Sequence, residues 1–101
     1  MIRQTTVAEL SDAVRDQQLV VDVRSAEEFA QGHIPGAVNM PLETLVRHCA
    51  DLDTAKPVYL VCGGGTRSME AAGALDLGGF DARPVQGGTR AWTEAGHQLD
   101  R

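Results

Sequence analysis

The 101-residue sequence has no long apolar segment and no excess of basic residues. No stretch approaches the roughly 18 consecutive apolar residues of a membrane-spanning helix, and residues 1–6 lack the continuous apolar run of a secretory signal peptide. Nine Lys and Arg residues stand against 14 Asp and Glu, for a net charge of −5. This balance argues against a general nucleic-acid or anionic-membrane surface. We therefore expect a cytoplasmic protein with neither nucleic acid nor membrane as a partner.

Cysteine is scarce, with only Cys49 and Cys62 in the chain. Two cysteines cannot build a disulfide framework, and they do not form a Cys-x-x-Cys motif. The three histidines are scattered, so no metal-ligand spacing appears. A Cys49–Cys62 disulfide is the weaker interpretation in a reducing compartment. We expect no metal and no other cofactor, and a passive role for Cys49 on a predicted helix.

What is present is typical of a folded globular chain. Hydrophobic residues make up 43% and charged residues 23% of the sequence, both ordinary values for a globular domain. A chain of this length can build one hydrophobic core but not two. We expect one domain over residues 1–101.

Helix and strand patterns alternate along the chain. Capping boxes of the Thr/Ser-x-x-Glu type at Thr6 and Ser25 predict the starts of two helices, and apolar β-branched runs indicate strands. The predicted order is helix 7–16, strand 18–23, a short helix from 25 that ends by 32, strand 37–40, helix 42–50 with Pro41 as its first residue, strand 58–61, helix 69–77, strand 82–85 and helix 89–95. This alternation predicts an α/β fold with a parallel sheet covered on both faces, in which ligands gather at the carboxyl ends of the strands.

Residues 62–68, which read Cys-Gly-Gly-Gly-Thr-Arg-Ser, lie between a predicted strand and a predicted helix. Three successive glycines cost backbone entropy, so they indicate unusual backbone angles or a close approach by another group. The first turn of a helix has unpaired amides and a partial positive charge, which bind anions, including a thiolate. This pattern predicts a functional thiol at Cys62. The alternative is a small buried residue that ends a core strand.

Four motifs in register resemble the rhodanese-like domains, and the likeness spans nearly the whole chain. They are Asp22-Val23-Arg24, Glu28-Phe29 with Gly-His-Ile-Pro-Gly-Ala-Val-Asn at 32–39, the loop 62–68, and Gly87-Gly88 with Trp92. The chain is similar to the single-domain sulfurtransferases of this family. The resemblance implies a three-layer α/β/α fold with a five-stranded parallel sheet. It also implies a cysteine that takes a sulfane sulfur from thiosulfate or a persulfide and passes it to cyanide or a thiol, with a protein as a further candidate acceptor.

The resemblance also assigns roles to residues. Cys62 is implied as the catalytic residue that accepts the sulfur. The residues expected to bind the substrate are Gly63, Gly64, Gly65, Thr66, Arg67, Ser68 and Arg90. Independently of the resemblance, the charge of Arg67 would help to hold an anionic donor. Arg90 is a candidate second contact because it follows Gly87-Gly88 near the end of a predicted strand, with a solvated surface role as its alternative. A polar network of Asp22, Arg24 and Glu28 is expected to tie a strand to a helix, His33 to serve in a connector, and Phe29 and Trp92 to fill the core.

Two other functions compete with sulfur transfer. Cysteine phosphatases and arsenate reductases with related folds also use a thiolate at a helix N-terminus. Their loops have five residues between cysteine and arginine, whereas only residues 63–66 separate Cys62 from Arg67, which favours one sulfur atom over a tetrahedral phosphate. The third interpretation is a non-catalytic binding or regulatory module, against which the presence of Cys62 counts.

Overall fold

A computed structural model describes residues 2–101, and Met1, the first residue of the predicted domain, lies outside the described residues. Helices and strands alternate along the described part of the chain. They are α1 (Val7–Arg15), β1 (Leu19–Asp22), α2 (Ala26–Gln31), β2 (Val38–Asn39), α3 (Leu42–His48), a short 3-10 helix (Cys49–Asp51), β3 (Pro57–Val61), α4 (Thr66–Leu77), β4 (Asp81–Pro84) and α5 (Gly88–Glu94).

The four strands form one parallel sheet in the order β2-β1-β3-β4. This confirms the predicted α/β fold with a parallel sheet. β1 and β3 lie side by side at its centre, with Asp22 opposite Val61. The chain continues from β1 towards β2 but from β3 towards β4, so the winding direction reverses between the two central strands. Such a reversal opens a crevice at the carboxyl ends of the strands.

The sheet has four strands among the described residues, so the prediction of five strands is wrong. Residues 2–5 run beside β4 in the parallel direction but form only isolated bridges with it. The N–H of Arg3 donates to the carbonyl of Ala82 (3.0 Å), and the N–H of Thr5 donates to the carbonyl of Pro84 (2.9 Å). In a regular parallel ladder, the N–H of residue 84 would donate to the carbonyl of Arg3, between these two bonds. Residue 84 is a proline, which has no N–H. Pro84 therefore interrupts the ladder that would have made this segment a fifth strand.

Helices cover both faces of the sheet, as predicted. Because successive side chains of a strand alternate, Val58 and Leu60 of β3 face α3 and α4, while Tyr59 and Val61 face α1 and α5. The first core consists of Val21, Val23, Leu45, Val58, Leu60, Cys62, Ala71, Ala72, Leu75, Phe80 and Ala82, and the second of Leu10, Ala13, Val20, Ile34, Tyr59, Val61, Val85 and Trp92. Cys62 thus continues the face of β3 that packs against α4.

Both predicted capping boxes are present. The side chains of Thr6 and Ser25 each accept the backbone N–H of the glutamate three residues on, at 3.2 Å. Two predicted helix limits in the middle of the chain are wrong. Pro41 is the N-cap of α3 rather than its first helical residue, and the chain tightens into the 3-10 helix at Cys49, so α3 ends before residue 50.

Candidate active site

Cys62 directly follows the central strand β3, at the carboxyl edge of the sheet where the winding direction reverses. It is only 1% exposed, because its side chain continues the packed face of β3 towards α4. The thiol therefore lies in the crevice in which parallel sheets usually bind ligands, and it is almost covered by its own loop.

The loop that follows Cys62 is shorter than predicted. Only residues 63–65 form it, and α4 begins at Thr66 rather than at Met69, so Thr66, Arg67 and Ser68 belong to the first turn of this 12-residue helix. Gly65 has a φ of +107°, a conformation that residues with a side chain rarely adopt. The chain can therefore turn from β3 straight into α4, which places Cys62 before the partially positive N-terminus of α4.

Two groups contact the sulfur of Cys62. The N–H of Gly65 donates to Sγ at 2.9 Å, and the hydroxyl oxygen of Ser68 lies 3.6 Å from Sγ. Ser68 is fully buried, and its hydroxyl also donates to the carbonyl of Gly65 at 2.9 Å. A hydroxyl has one proton, so Ser68 can accept from a neutral thiol while it donates to Gly65. The site therefore presents one backbone donor and one hydroxyl to sulfur.

The start of α5 supports the loop from the opposite side. The N–H of Thr89 donates to the carbonyl of Cys62 at 2.8 Å, and the N–H of Arg90 donates to the carbonyl of Gly63 at 3.1 Å. Gly88 has a φ of +54°, and a Cβ atom there would lie 2.1 Å from the carbonyl oxygen of Cys62. The sequence marked Gly87-Gly88 as part of one of the four family motifs, but its contact with the loop was missed. The signal was the pair of adjacent glycines, which marks a close approach but not its partner.

Arg67 reaches the loop but binds another side chain. Its guanidinium forms a bidentate ion pair with Glu28, with Nη1–Oε1 at 2.8 Å and Nη2–Oε2 at 3.0 Å. Nη2 also lies 3.4 Å from the position that a Cβ of Gly63 would occupy. This guanidinium, together with the backbone N–H of Ser25, lowers the pKa of Glu28 to about 2. If the Arg67 side chain binds a sulfur donor, as predicted, its N–H groups must be shared between that molecule and Glu28, or the ion pair must open.

Arg90 stands on the other side of the loop. It is exposed, and its Nη2 atom lies 3.9 Å from the position that a Cβ of Gly64 would occupy. No ion pair joins Arg90 to an acidic side chain within residues 2–101. The structure thus brings both predicted arginines to the glycine loop. Arg67 is in an ion pair, and Arg90 has no ion-pair partner among residues 2–101.

The predicted network of Asp22, Arg24 and Glu28 is correct only for its first two members. Arg24 and Asp22 form a buried ion pair, with Nη2–Oδ2 at 2.7 Å, and Nη2 of Arg24 also donates to the carbonyl of Gly32 at 2.7 Å. This pair fixes the end of β1 to the connector after α2. Glu28 instead caps α2 and binds Arg67, because α2 turns its first residues towards the start of α4.

The other predicted roles have mixed outcomes. Trp92 is buried in the core and donates its indole N–H to the carbonyl of Gln98 at 2.9 Å, as predicted. His33 bonds the carbonyl of Phe29 through Nδ1 at 2.9 Å, which confirms a connector histidine satisfied by the backbone. Phe29 does not fill the core: it is half-buried and stacks on His33 with ring centroids 3.8 Å apart. Cys49 is a partly buried free thiol that is not bonded to Cys62.

A cavity of about 380 Å³ opens beside Arg67, between the end of β1 and the starts of α2 and α3. Two larger cavities, of about 410 and 590 Å³, lie near the amino ends of β1 and β3. The smaller one is the cavity that adjoins the candidate site, because ligands of parallel sheets bind at the carboxyl ends of the strands. Within residues 2–101, no cluster of three or more His, Cys, Asp or Glu side chains is placed to hold a metal ion.

A family model described as the rhodanese-like domain matches residues 6–95. The chain belongs to the rhodanese-like family. The matched residues include β1 with its Asp22–Arg24 pair, the glycine loop and Gly87-Gly88. The resemblance inferred from the sequence is thereby confirmed, and all four motifs that carried it lie within the matched residues.

Relatives and solved structures agree with this family. The thiosulfate sulfurtransferase GlpE of Shewanella oneidensis is 39% identical over 77 residues, which cover 75% of this chain and 76% of GlpE. The Bacillus subtilis protein YtwF is 36% identical over 93 residues, 90% of each chain. The crystal structure of a rhodanese-related protein from Thermoplasma volcanium superposes with a TM-score of 0.89 at 28% identity, covering 97% of each chain. The rhodanese-like fold and its similarity to proteins named sulfurtransferases are therefore established.

Within residues 2–101, no helix is both long enough and apolar enough to span a bilayer.

Proposed function

We propose that the protein is a sulfurtransferase that moves a sulfane sulfur from thiosulfate or a persulfide donor to a thiophilic acceptor through a persulfide on Cys62. One observation carries this proposal: the thiol lies before the N-terminus of α4 with the N–H of Gly65 donating to Sγ at 2.9 Å. A backbone donor and a helix N-terminus both favour negative charge on sulfur. The name of the relative GlpE, thiosulfate sulfurtransferase, supports the choice of donor.

The reaction needs two displacements at sulfur. In the first, the Cys62 thiolate attacks the outer sulfur of thiosulfate, a new S–S bond forms, and the S–S bond of thiosulfate breaks with its electron pair leaving on sulfite. In the second, cyanide attacks the outer sulfur of the persulfide, and the thiolate leaves with the electron pair of the broken bond. A thiol acceptor yields a new persulfide in the same way. Neither displacement requires a general base once the thiolate is present.

The loop residues are the proposed binding groups. Gly63, Gly64 and Gly65 have no side chains that would hinder the approach of a small group to Sγ, and the amide of Gly65 with the first turn at Thr66, Arg67 and Ser68 would stabilise the anionic sulfur by preorganised dipoles. Arg90 is the proposed contact for a negatively charged donor from the side of α5. Cys62 is almost fully buried, so the site suits a donor or acceptor that presents one small atom.

The same features weigh against the two other functions. A phosphate has four oxygens to satisfy, and the four residues between Cys62 and Arg67 are one fewer than in the loops of cysteine phosphatases. A non-catalytic module would have no need for a thiol at the end of the central strand. The cavity beside Arg67 supplies space for a thiol acceptor or for part of a protein acceptor. One domain over residues 1–101 and a cytoplasmic location complete the proposal.

Intact-mass measurement tests the proposal directly. Incubation with thiosulfate, without reducing agent, should add the mass of one sulfur atom to the protein, and cyanide should remove it. Cys62→Ser should not gain this mass. Cys49→Ser is the matched control, because it removes the other thiol, and it should gain the mass as the unsubstituted protein does.

An unchanged mass would contradict sulfur transfer from thiosulfate, provided that Cys62 is shown to be a free thiol by alkylation. If glutathione persulfide added the sulfur where thiosulfate did not, the donor would be a persulfide. Loss of the mass gain in Cys49→Ser would show instead that Cys49 takes part in the transfer.

A further inference from the structure

Glu28 has two separate functions in the structure. As the third residue of α2 it completes the capping box, because its carboxylate accepts the N–H of Ser25 at 3.1 Å. It also makes both bonds to the guanidinium of Arg67, from a helix 39 residues away in the sequence. A capping box works with glutamine as well as glutamate. The negative charge of Glu28 is therefore needed for its contact with Arg67 and not for the cap.

The charged side chains around the glycine loop nearly cancel one another. Asp22 and Arg24 form a buried pair after β1, and Glu28 and Arg67 form a pair that is about two-fifths exposed. The pKa of Glu28, lowered to about 2, keeps that pair ionised at physiological pH. Glu43 lines the far side of the cavity beside Arg67. Arg90 is the cation next to the loop that has no ion-pair partner among residues 2–101.

We propose that Glu28 is a positioning residue that holds Arg67 in a closed ion pair, which limits the positive charge offered to Cys62 and makes Arg90 the residue that selects the charge of the donor. This proposal adds the selection of the sulfur donor to the proposed function. Only the statement about the donor rests on that function, and the positioning of Arg67 by Glu28 does not. The bidentate geometry is central, because a guanidinium bound at both Nη atoms has a fixed direction and a neutralised charge.

The distances support this division between the two arginines. Nη2 of Arg67 lies over Gly63 and Nη2 of Arg90 lies near Gly64, so the two guanidinium groups approach the loop from different sides. Without Glu28, both would act on an anion at Cys62. Glu28 thus sets the electrostatic potential at the glycine loop, where a backbone N–H and the N-terminus of α4 already favour an anion.

The rates of alkylation by two reagents measure the potential at Cys62. Iodoacetate is an anion and iodoacetamide is neutral, and in a Cys49→Ser background, used for every variant, both react with the Cys62 thiolate alone. The ratio of their rate constants therefore reports local charge and does not require sulfur transfer. Glu28→Gln keeps the capping acceptor and removes the charge. We expect this variant to raise the iodoacetate-to-iodoacetamide ratio about two- to fivefold, the effect of one screened charge within several ångströms.

Glu27→Gln is the matched control, because Glu27 is the exposed neighbour in the same helix and the substitution makes the same change in net charge. It should leave the ratio within error of the unsubstituted protein, whereas Arg90→Gln should lower the ratio about two- to fivefold. An unchanged ratio in a folded Glu28→Gln would overturn the proposal. An equal rise in Glu27→Gln would overturn it too, because the effect would then be one of net charge alone.

A double variant, Glu28→Gln with Arg67→Gln, keeps the proposal testable if Glu28→Gln does not fold. It removes a neutral pair as a whole, so the ratio should stay close to that of the unsubstituted protein. A fall as large as that of Arg90→Gln would show that the charge of Arg67 reaches the thiolate despite the pair, which would refute the proposal.

Steady-state assays extend the test to the donor. Glu28→Gln should lower KM for thiosulfate, a dianion, about two- to fivefold with little change in kcat, and Arg90→Gln should raise it. A purely structural role for Glu28 would instead lower kcat and leave both the KM and the alkylation ratio unchanged. Failure of the intact-mass test with both thiosulfate and glutathione persulfide would refute the proposed function, while the alkylation ratios would still decide the role of Glu28.

Discussion

Gly88 and Gly73 show how differently two glycines contribute in the same protein. Gly88 has a φ of +54°, and a Cβ atom there would lie 2.1 Å from the carbonyl oxygen of Cys62. Gly73 lies inside α4, and a Cβ atom there would have no heavy atom within 4 Å. The first glycine is required by a close backbone contact with the glycine loop, whereas the second only weakens a helix.

Gly88→Ala should therefore destabilise the protein by more than about 2 kcal/mol, because a strained φ and a backbone clash add up. It should also abolish persulfide formation, because the loop carbonyl must move. Gly73→Ala should stabilise the protein by about 0.5–1 kcal/mol through the lower backbone entropy of the unfolded chain and the better helix propensity of alanine. Urea unfolding measures both changes. A Gly88→Ala protein as stable as the unsubstituted one would show that the loop tolerates displacement.

At the scale of elements, α2 depends on its first turn. It has six residues, and none of them is buried, so packing contributes little to holding it in place. The capping box at Ser25 stabilises its first turn, and the ion pair between Glu28 and Arg67 joins it to the start of α4. A charged contact rather than apolar burial therefore links α2 to α4.

This link should depend on pH. The pKa of Glu28 is lowered from 4.5 to about 2 in the folded protein, so its contribution to stability is fully present above about pH 4.5 and is lost as the pH falls towards 2. Since the pair is about two-fifths exposed, solvent screening limits its contribution to about 1 kcal/mol. The difference in free energy of unfolding between the unsubstituted protein and Glu28→Gln should vanish over that range. A difference that stayed constant down to pH 2 would argue against the ion pair as its source.

At the scale of the whole molecule, the central strand β3 contributes two side chains to each of the two cores. Val58 and Leu60 pack under α3 and α4, and Tyr59 and Val61 pack under α1 and α5. Cys62 follows this strand directly. The position of the thiol is therefore coupled to the packing on both faces of the sheet.

Leu60→Ala should cost about 2–5 kcal/mol, because it removes a fully buried side chain and leaves a cavity in the centre of the sheet. This is a large share of the roughly 5–15 kcal/mol that holds a domain folded. Leu77→Ala is the matched control, since Leu77 is 91% exposed and should change stability by less than about 0.5 kcal/mol. Denaturant unfolding followed by Trp92 fluorescence measures both. Equal losses in the two variants would contradict the central role of β3.

The predictions from sequence succeeded where neighbouring residues decide the structure. Both capping boxes formed because the cap and its glutamate are three residues apart. The start of α4 was predicted three residues late, because the left-handed Gly65 allows a helix to begin without a capping side chain. The predicted fifth strand does not form, because Pro84 has no N–H to donate to the neighbouring segment. This missing N–H matters only once residues 2–5 lie beside β4.

The sequence by itself determined the alternation of strands and helices, the family, and the place of Cys62 after a buried strand, because periodicity, caps and glycines act over a few residues. Only the tertiary structure decided that Arg67 pairs with Glu28, that Gly88 packs on the carbonyl of Cys62, and that Arg90 stays unpaired beside the loop. These contacts join segments far apart in the chain. They depend on the strand order and on which helices meet at the carboxyl edge of the sheet, and local preferences carry no information about either.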